Sequence, residues 1–248
     1  MRKLNLLFAF ILATLLFLTI VSFTQAQTTK KVLELPEFKS IYVNSGYTVY
    51  LKQTNKQEVS VEVLTDIFLV SEIKVENGVL MVNVERKPEA PNKSIWAKID
   101  DIKLNPTMKL FVSVKSISEI QVNGSGKVIS ENSISSDNLT LGVSGSGSID
   151  LDIKGNVVTT DISGSGNVTL KGYATANEIK ITGSGNLLAF GCELENAKAK
   201  LAGSGNGEIT VSNSLEATIM GSGVLEHRGN TKNLAKKVYG SGAVERVY

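Results

Sequence analysis

Four acidic residues occupy one position of a recurring pattern. Asp150, Glu208, Glu226 and Glu245 each lie three residues past the second glycine of a Gly-Ser-Gly tripeptide. If the tripeptides mark equivalent places in stacked strands, Glu208, Glu226 and Glu245 project outward on successive layers about 4.8 Å apart. Carboxyl groups about 5 Å apart are the pair a retaining glycosidase uses, so a polysaccharide-cleaving column is one expectation. A solvated acidic face, offset by nearby Lys and Arg, is the plainer one. Lys180, Lys200 and Lys237 each stand three residues before a tripeptide. They form a basic column that suits an anionic glycan or simply discourages edge pairing. These seven residues are the candidate ligand contacts.

Other chemistry is sparse. His227 is the sole histidine; aligned with Leu151, Leu170 and Val247, it is expected to point inward or to cap a coil, and no partner marks it as a catalytic base. Cys192 is the sole cysteine, so no intramolecular disulfide forms, and a small buried hydrophobe is expected there. The glycines do not sit in a nucleophile-elbow frame, nor do they open a helix as a dinucleotide loop would. A calcium-binding β-roll needs a regular Asp after the glycines, and Asp150 is the only one near that place. We expect no cofactor, no metal and no catalytic residue.

The elements that hold these positions follow from the repeat. Gly-Ser-Gly begins at Gly124, Gly145, Gly164, Gly183, Gly203, Gly221 and Gly240, at intervals of 21, 19, 19, 20, 18 and 19 residues. A flexible linker would lack apolar residues. Here Val122, Val143, Ile162, Ile181, Leu201, Ile219 and Val238 stand two residues before the first glycine. Val128, Ile149, Val168, Leu187, Gly207, Leu225 and Val244 stand two after the second. The residues between them are mostly polar, which is the period-2 alternation of two short strands joined at a corner. Helix is excluded, since paired glycines would cost about 1 kcal/mol each in a helix interior. Further glycines at Gly155, Gly172, Gly191 and Gly229 mark a second corner. The pattern predicts an all-β chain, a parallel β-helix of about 19 residues per coil. Asn167, Asn186 and Asn206 share one column, which predicts an amide ladder.

The seven copies lie in residues 121–248. Residues 27–120 read as irregular β coils or a cap, in which Val43 to Val49 is a worn copy of the repeat, with Gly46 lying 80 residues before Gly126. Residues 86–106, with three prolines and Trp96, read as a surface excursion. Residues 1–26 read as a signal peptide: Arg2 and Lys3, an apolar run from Leu4 to Val21, then Thr24-Gln25-Ala26. An uncleaved membrane anchor is the alternative. Without Arg2 and Lys3 the chain carries 24 basic and 24 acidic residues, which disfavours nucleic acid as a partner.

Phe38 to Gly46, the run Glu76-Asn77-Gly78-Val79-Leu80 and the serial Val-x-Gly-Ser-Gly copies resemble the DUF2807 family, over about residues 36–248. That family is described as a putative auto-transporter adhesin, head GIN domain, common among Bacteroidota. The resemblance implies a right-handed β-helix and an exported protein, and it brings no catalytic motif. The expected role is therefore a non-enzymatic envelope or surface protein, periplasmic or extracellular, that binds a surface glycan or an envelope protein. The alternatives are a carbohydrate-active enzyme using the acidic column and a periplasmic structural module. No membrane-inserting barrel is recognisable after the last copy, which keeps a periplasmic location open. Tyr239, Val247 and Tyr248 lie near a final coil edge, so self-association through the C-terminal end, or capping by these tyrosines, is also expected.

Overall fold

The computed structural model describes residues 28–85 and 108–248. The expected signal peptide and the excursion around Trp96 lie outside the described residues. Among the described residues no helix is long and apolar enough to cross a membrane.

The chain runs through β1 (Thr28–Leu33), β2 (Ser40–Val43), β3 (Thr48–Gln53) and β4 (Glu58–Leu64), then the single-turn helix α1 (Thr65–Phe68). After it come β5 (Ser71–Glu76), β6 (Val79–Val84), β7 (Met108–Val114), β8 (Glu119–Gly124) and β9 (Lys127–Ser130). The long strands β10 (Ile134–Gly145), β11 (Ser148–Gly164), β12 (Asn167–Gly183), β13 (Asn186–Gly203) and β14 (Asn206–Gly221) follow, then β15 (Val224–Arg228), β16 (Asn233–Tyr239) and β17 (Ala243–Arg246). From β8 onward every pairing is parallel and each coil stacks on the one before, making a β-solenoid of about seven turns.

The aligned apolar columns are the interior. Val122, Val143, Ile162, Ile181, Leu201, Ile219 and Val238 are Cα partners in unbroken series, and all but Val238 are buried. Val128, Ile149, Val168, Leu187, Gly207, Leu225 and Val244 do the same on the other side of the corner. Each buried aliphatic side chain contributes about 1.5–3 kcal/mol. Gly207 breaks the column because a Cβ there would stand 2.8 Å from Leu225 Cδ1, so Leu225 already fills its space.

Both glycines of a corner have a physical reason. Gly164 adopts φ +110°, where side chains are strained, and a Cβ on it would approach Gly145 O to 2.8 Å. Gly166 packs so closely on the preceding corner that a Cβ would meet Gly147 O at 2.6 Å. The amide ladder forms as expected, with Asn186 Nδ2 donating to Asn167 Oδ1 at 3.0 Å and Asn206 Nδ2 to Asn186 Oδ1 at 3.4 Å. Cys192 is fully buried. Burial above all, then Asp152 and Glu193 nearby, pushes its thiol up to about 12, so it stays protonated and inert.

The first part of the chain is ordered differently in space than in sequence. β2 and β3 carry β6 and β7 on one side and β8 and β9 on the other, all parallel. The earliest coil is thus inserted between two later ones. The 80-residue separation of Gly46 and Gly126 spans one coil of height rather than four. The residues in between build the far-side coil, with antiparallel β5 on β6, β4 on β7 and β1 on β4. Asn77 (φ 51°) and Gly78 (φ 75°) form the two-residue turn between β5 and β6, the conformation that Asn-Gly favours. One continuous apolar cluster runs from Phe38 to Val244.

At the other end, no described strand covers the interior register of β16. Leu234 and Val238 follow buried Leu215 and Ile219 in register yet are 46% and 39% exposed. Tyr239 and Tyr248 are more exposed still, so the expected tyrosine cap does not form.

Candidate functional site

The solenoid gives its outward side chains straight columns on flat sheets. The acidic column is real but interrupted: Asp150, Thr169, Leu188, Glu208, Glu226 and Glu245 are partners in series. Only the last three acids are neighbours. Among the described residues none of the three carboxylates has a hydrogen bond or ion pair. They stand in a line one residue wide.

The lysines lie on the other side of the Gly-Ser-Gly corner. Lys180 and Lys200 are direct partners, whereas Thr218 separates Lys200 from Lys237. Lys180 is also drawn to Asp161, at 3.4 Å. The structure therefore splits the seven candidates between two faces and brings together two short groups, Glu208–Glu226–Glu245 and Lys180–Lys200.

His227 is buried and points inward, beside Ile209 on one coil and Arg246 on the next. The neighbour in its column is thus Arg246, not Val247. Burial, then the charges of Arg246 and Lys236, hold its pKa below the ordinary 6.5. Among the described residues its Nδ1 has no hydrogen-bond partner. Among the described residues no group of three or more His, Cys, Asp or Glu could hold a metal ion.

Two further features were not anticipated. On the acidic face, toward the N-terminal coils, Tyr50 and Phe111 stack at 5.2 Å with an interplanar angle of 16°. The rings use their faces on one another and present edges outward, a poor platform for stacking a sugar.

The second is a cleft of about 450 Å³, lined by Glu37, Phe38, Lys39, Ser40, Gln57, Asn77, Gly78, Lys115 and Ser116. It lies where β2, β6 and β8 begin. In the regular coils one continuous strand closes this corner. Here three separate segments enter it: the loop before β2, the β5–β6 turn, and the passage from β7 to β8. Gln57 ties the first segment down, accepting from Phe38 N at 3.2 Å and donating to Pro36 O at 2.8 Å. Lys115 bonds Glu37 at 2.8 Å across the rim, and that contact holds the Glu37 carboxyl below its usual range. Lys39, Asn77 and Lys115 come from three distant stretches of chain, so no spacing in the sequence could have grouped them.

The fold recurs in solved structures. A putative adhesin from Bacteroides fragilis is 19% identical with a TM-score of 0.78. A putative adhesin from Parabacteroides distasonis is 22% identical with a TM-score of 0.70, and a putative lipid binding protein from the same species is 20% identical with a TM-score of 0.69. Each alignment covers 90% of this chain and 98% of the other. At these identities the likeness speaks for the fold alone. No match was found among curated proteins. The model of the DUF2807 family, described as a putative auto-transporter adhesin, head GIN domain, matches residues 37–231, and with the corner repeat, the stacked coils and the inserted first coil already described, the chain belongs to that family.

Proposed function

We propose that the chain is an exported, non-enzymatic binding module of the cell envelope or surface, adhesin-like, whose ligand is a glycan or another envelope protein. One observation carries this reading: Glu208, Glu226 and Glu245 stand in register in one column of a parallel sheet, all on one side of any bound chain. Glycoside hydrolysis needs two carboxyl groups flanking the scissile bond, and a single column cannot flank anything. Groups repeated at strand spacing instead suit many weak contacts with a repetitive ligand, which multiply through effective concentration.

Protease shaving of intact against lysed cells, following the chain by antibody, tests the location. Degradation on intact cells supports surface binding. Protection until the outer membrane is opened removes the adhesin role and leaves a periplasmic binding module. Polysaccharide cleavage that disappears in Glu226→Gln with Glu245→Gln would overturn the non-enzymatic part.

A further inference from the structure

We propose that the cleft at the start of β2, β6 and β8 is a binding subsite for an acidic sugar unit. The inference rests on the binding-module reading and deepens it by naming a site and a ligand class. The cleft is where described side chains converge on a volume instead of standing in parallel columns. That convergence follows from the inserted coil: three loops of different origin meet where the regular repeat would run one strand. About 450 Å³ is within the range of small-ligand sites and suits one or two sugar rings.

The chemistry of the lining selects the ligand. Lys39 and Lys115 are opposed by one acid, Glu37, so the cleft carries a net positive charge. The side chains of Lys39, Ser40, Asn77 and Ser116 have no hydrogen-bond partner among the described residues. An ammonium, two hydroxyls and an amide form a donor and acceptor set for a carboxylate and vicinal hydroxyls. Phe38 is almost fully buried and supplies an apolar base. The shape is already held in place: Lys39 N donates to Gly78 O at 3.0 Å and Ser118 N to Lys39 O at 2.8 Å, while Gln57 fixes the loop before β2. A preorganised site loses less on binding.

An acidic peptide is the competing ligand. A peptide captured by strand addition needs free backbone donors and acceptors at a sheet edge. Here the backbone of Lys39 is already bonded on both sides, so side chains remain to be matched, which favours the sugar. Glu37 acts as a stand-in: its carboxylate on Lys115 occupies the place an incoming carboxylate takes, and its exposure lets it swing away.

The test is calorimetric titration of the full chain with trigalacturonic acid, neutral galactotriose and hexaglutamate. Trigalacturonic acid binds and galactotriose does not. Lys39→Gln and Lys115→Gln each weaken the affinity about tenfold, the loss expected for one charge-assisted hydrogen bond, with unchanged melting temperatures because both side chains are exposed. Failure of trigalacturonic acid to bind, equal binding of galactotriose, or tighter binding of hexaglutamate overturns the proposal. Acidic-glycan binding that survives both substitutions and is lost in Lys180→Gln with Lys200→Gln also overturns it, while leaving the binding-module reading intact.

Discussion

Asn123 donates a 2.8 Å amide hydrogen bond to Asn44, which lies 79 residues earlier in the chain. Asn44 in turn donates to Asn83 at 2.8 Å. The chain order of these three residues is 44, 83, 123, whereas their spatial order is 83, 44, 123. This ladder marks the insertion of the first coil between two later ones, the step from which the cleft arises.

A cross-link tests that order directly. In Asn44→Cys with Asn123→Cys, the two Cα atoms stand on adjacent coils, about 4.8 Å apart, within the Cα range of a disulfide. In Asn83→Cys with Asn123→Cys they are two coils apart, about 9.6 Å, beyond it. Mild oxidation should join the first pair and not the second, as read by a shift on non-reducing gels. Cys192 is buried and inert, so it does not interfere. Joining of the second pair in place of the first would restore sequential coil order and remove the inserted coil.

The corner tripeptides predict unequal costs at adjacent positions. Gly164→Ala combines a strained φ with an approach to Gly145 O, and should cost about 2–4 kcal/mol. Ser165 is exposed at the corner tip, so Ser165→Ala should stay within about 0.5 kcal/mol. Thermal or urea unfolding of the two variants decides it. Equal losses would mean that the hydroxyl, not the backbone, holds the corner.

The regular coils were legible because their contacts recur at a constant interval. Val122 to Val238 form one column in the sequence and one column in space, and the amide ladder at Asn167, Asn186 and Asn206 could be read the same way. The inserted coil was not legible, because strand pairing is non-local. Val43 pairs with both Val82 and Val122, and nothing in its neighbourhood distinguishes these partners from others of the same type. The 80-residue interval from Gly46 to Gly126 is close to four periods, yet the strands flanking these glycines are direct neighbours. The candidate columns were legible as columns, and so was their division between the strands before and after the Gly-Ser-Gly corner. The cleft around Lys39, Asn77 and Lys115 depended wholly on the inserted coil.

His227 gives the chain an acid sensitivity of defined sign. Its pKa in the folded state lies below the ordinary 6.5 because it is buried and faces Arg246 and Lys236. Between that depressed value and 6.5 the unfolded chain therefore binds more protons than the folded one, and stability rises with pH. The contribution is complete above about 6.5 and is lost as the pH falls through the folded value. Unfolding free energy measured between about pH 7 and pH 5 should fall in the wild type and fall less in His227→Leu, which cannot be protonated. Parallel profiles for the two proteins would show that His227 is neutral to stability in this range.

The open edge of β16 sets apolar attraction against charge. Leu234 and Val238 face the interior that no described coil covers, and the edge of β16 away from β14, unpaired among the described residues, offers backbone groups to a second copy. Lys236 lies on the same interior register, after buried Ala217, with Lys237 beside it. Two copies meeting through this edge bring these lysines together. Screening shortens their repulsion from about 10 Å at 0.1 M salt to about 3 Å at 1 M, while burial of Leu234 and Val238 does not weaken. We therefore propose self-association through this edge that strengthens as salt is added and appears at low salt in Lys236→Leu. Sedimentation equilibrium across that range measures it. Association that weakens with salt would place the contact on oppositely charged faces instead, and a monomer at every ionic strength in both proteins would remove the edge as a contact.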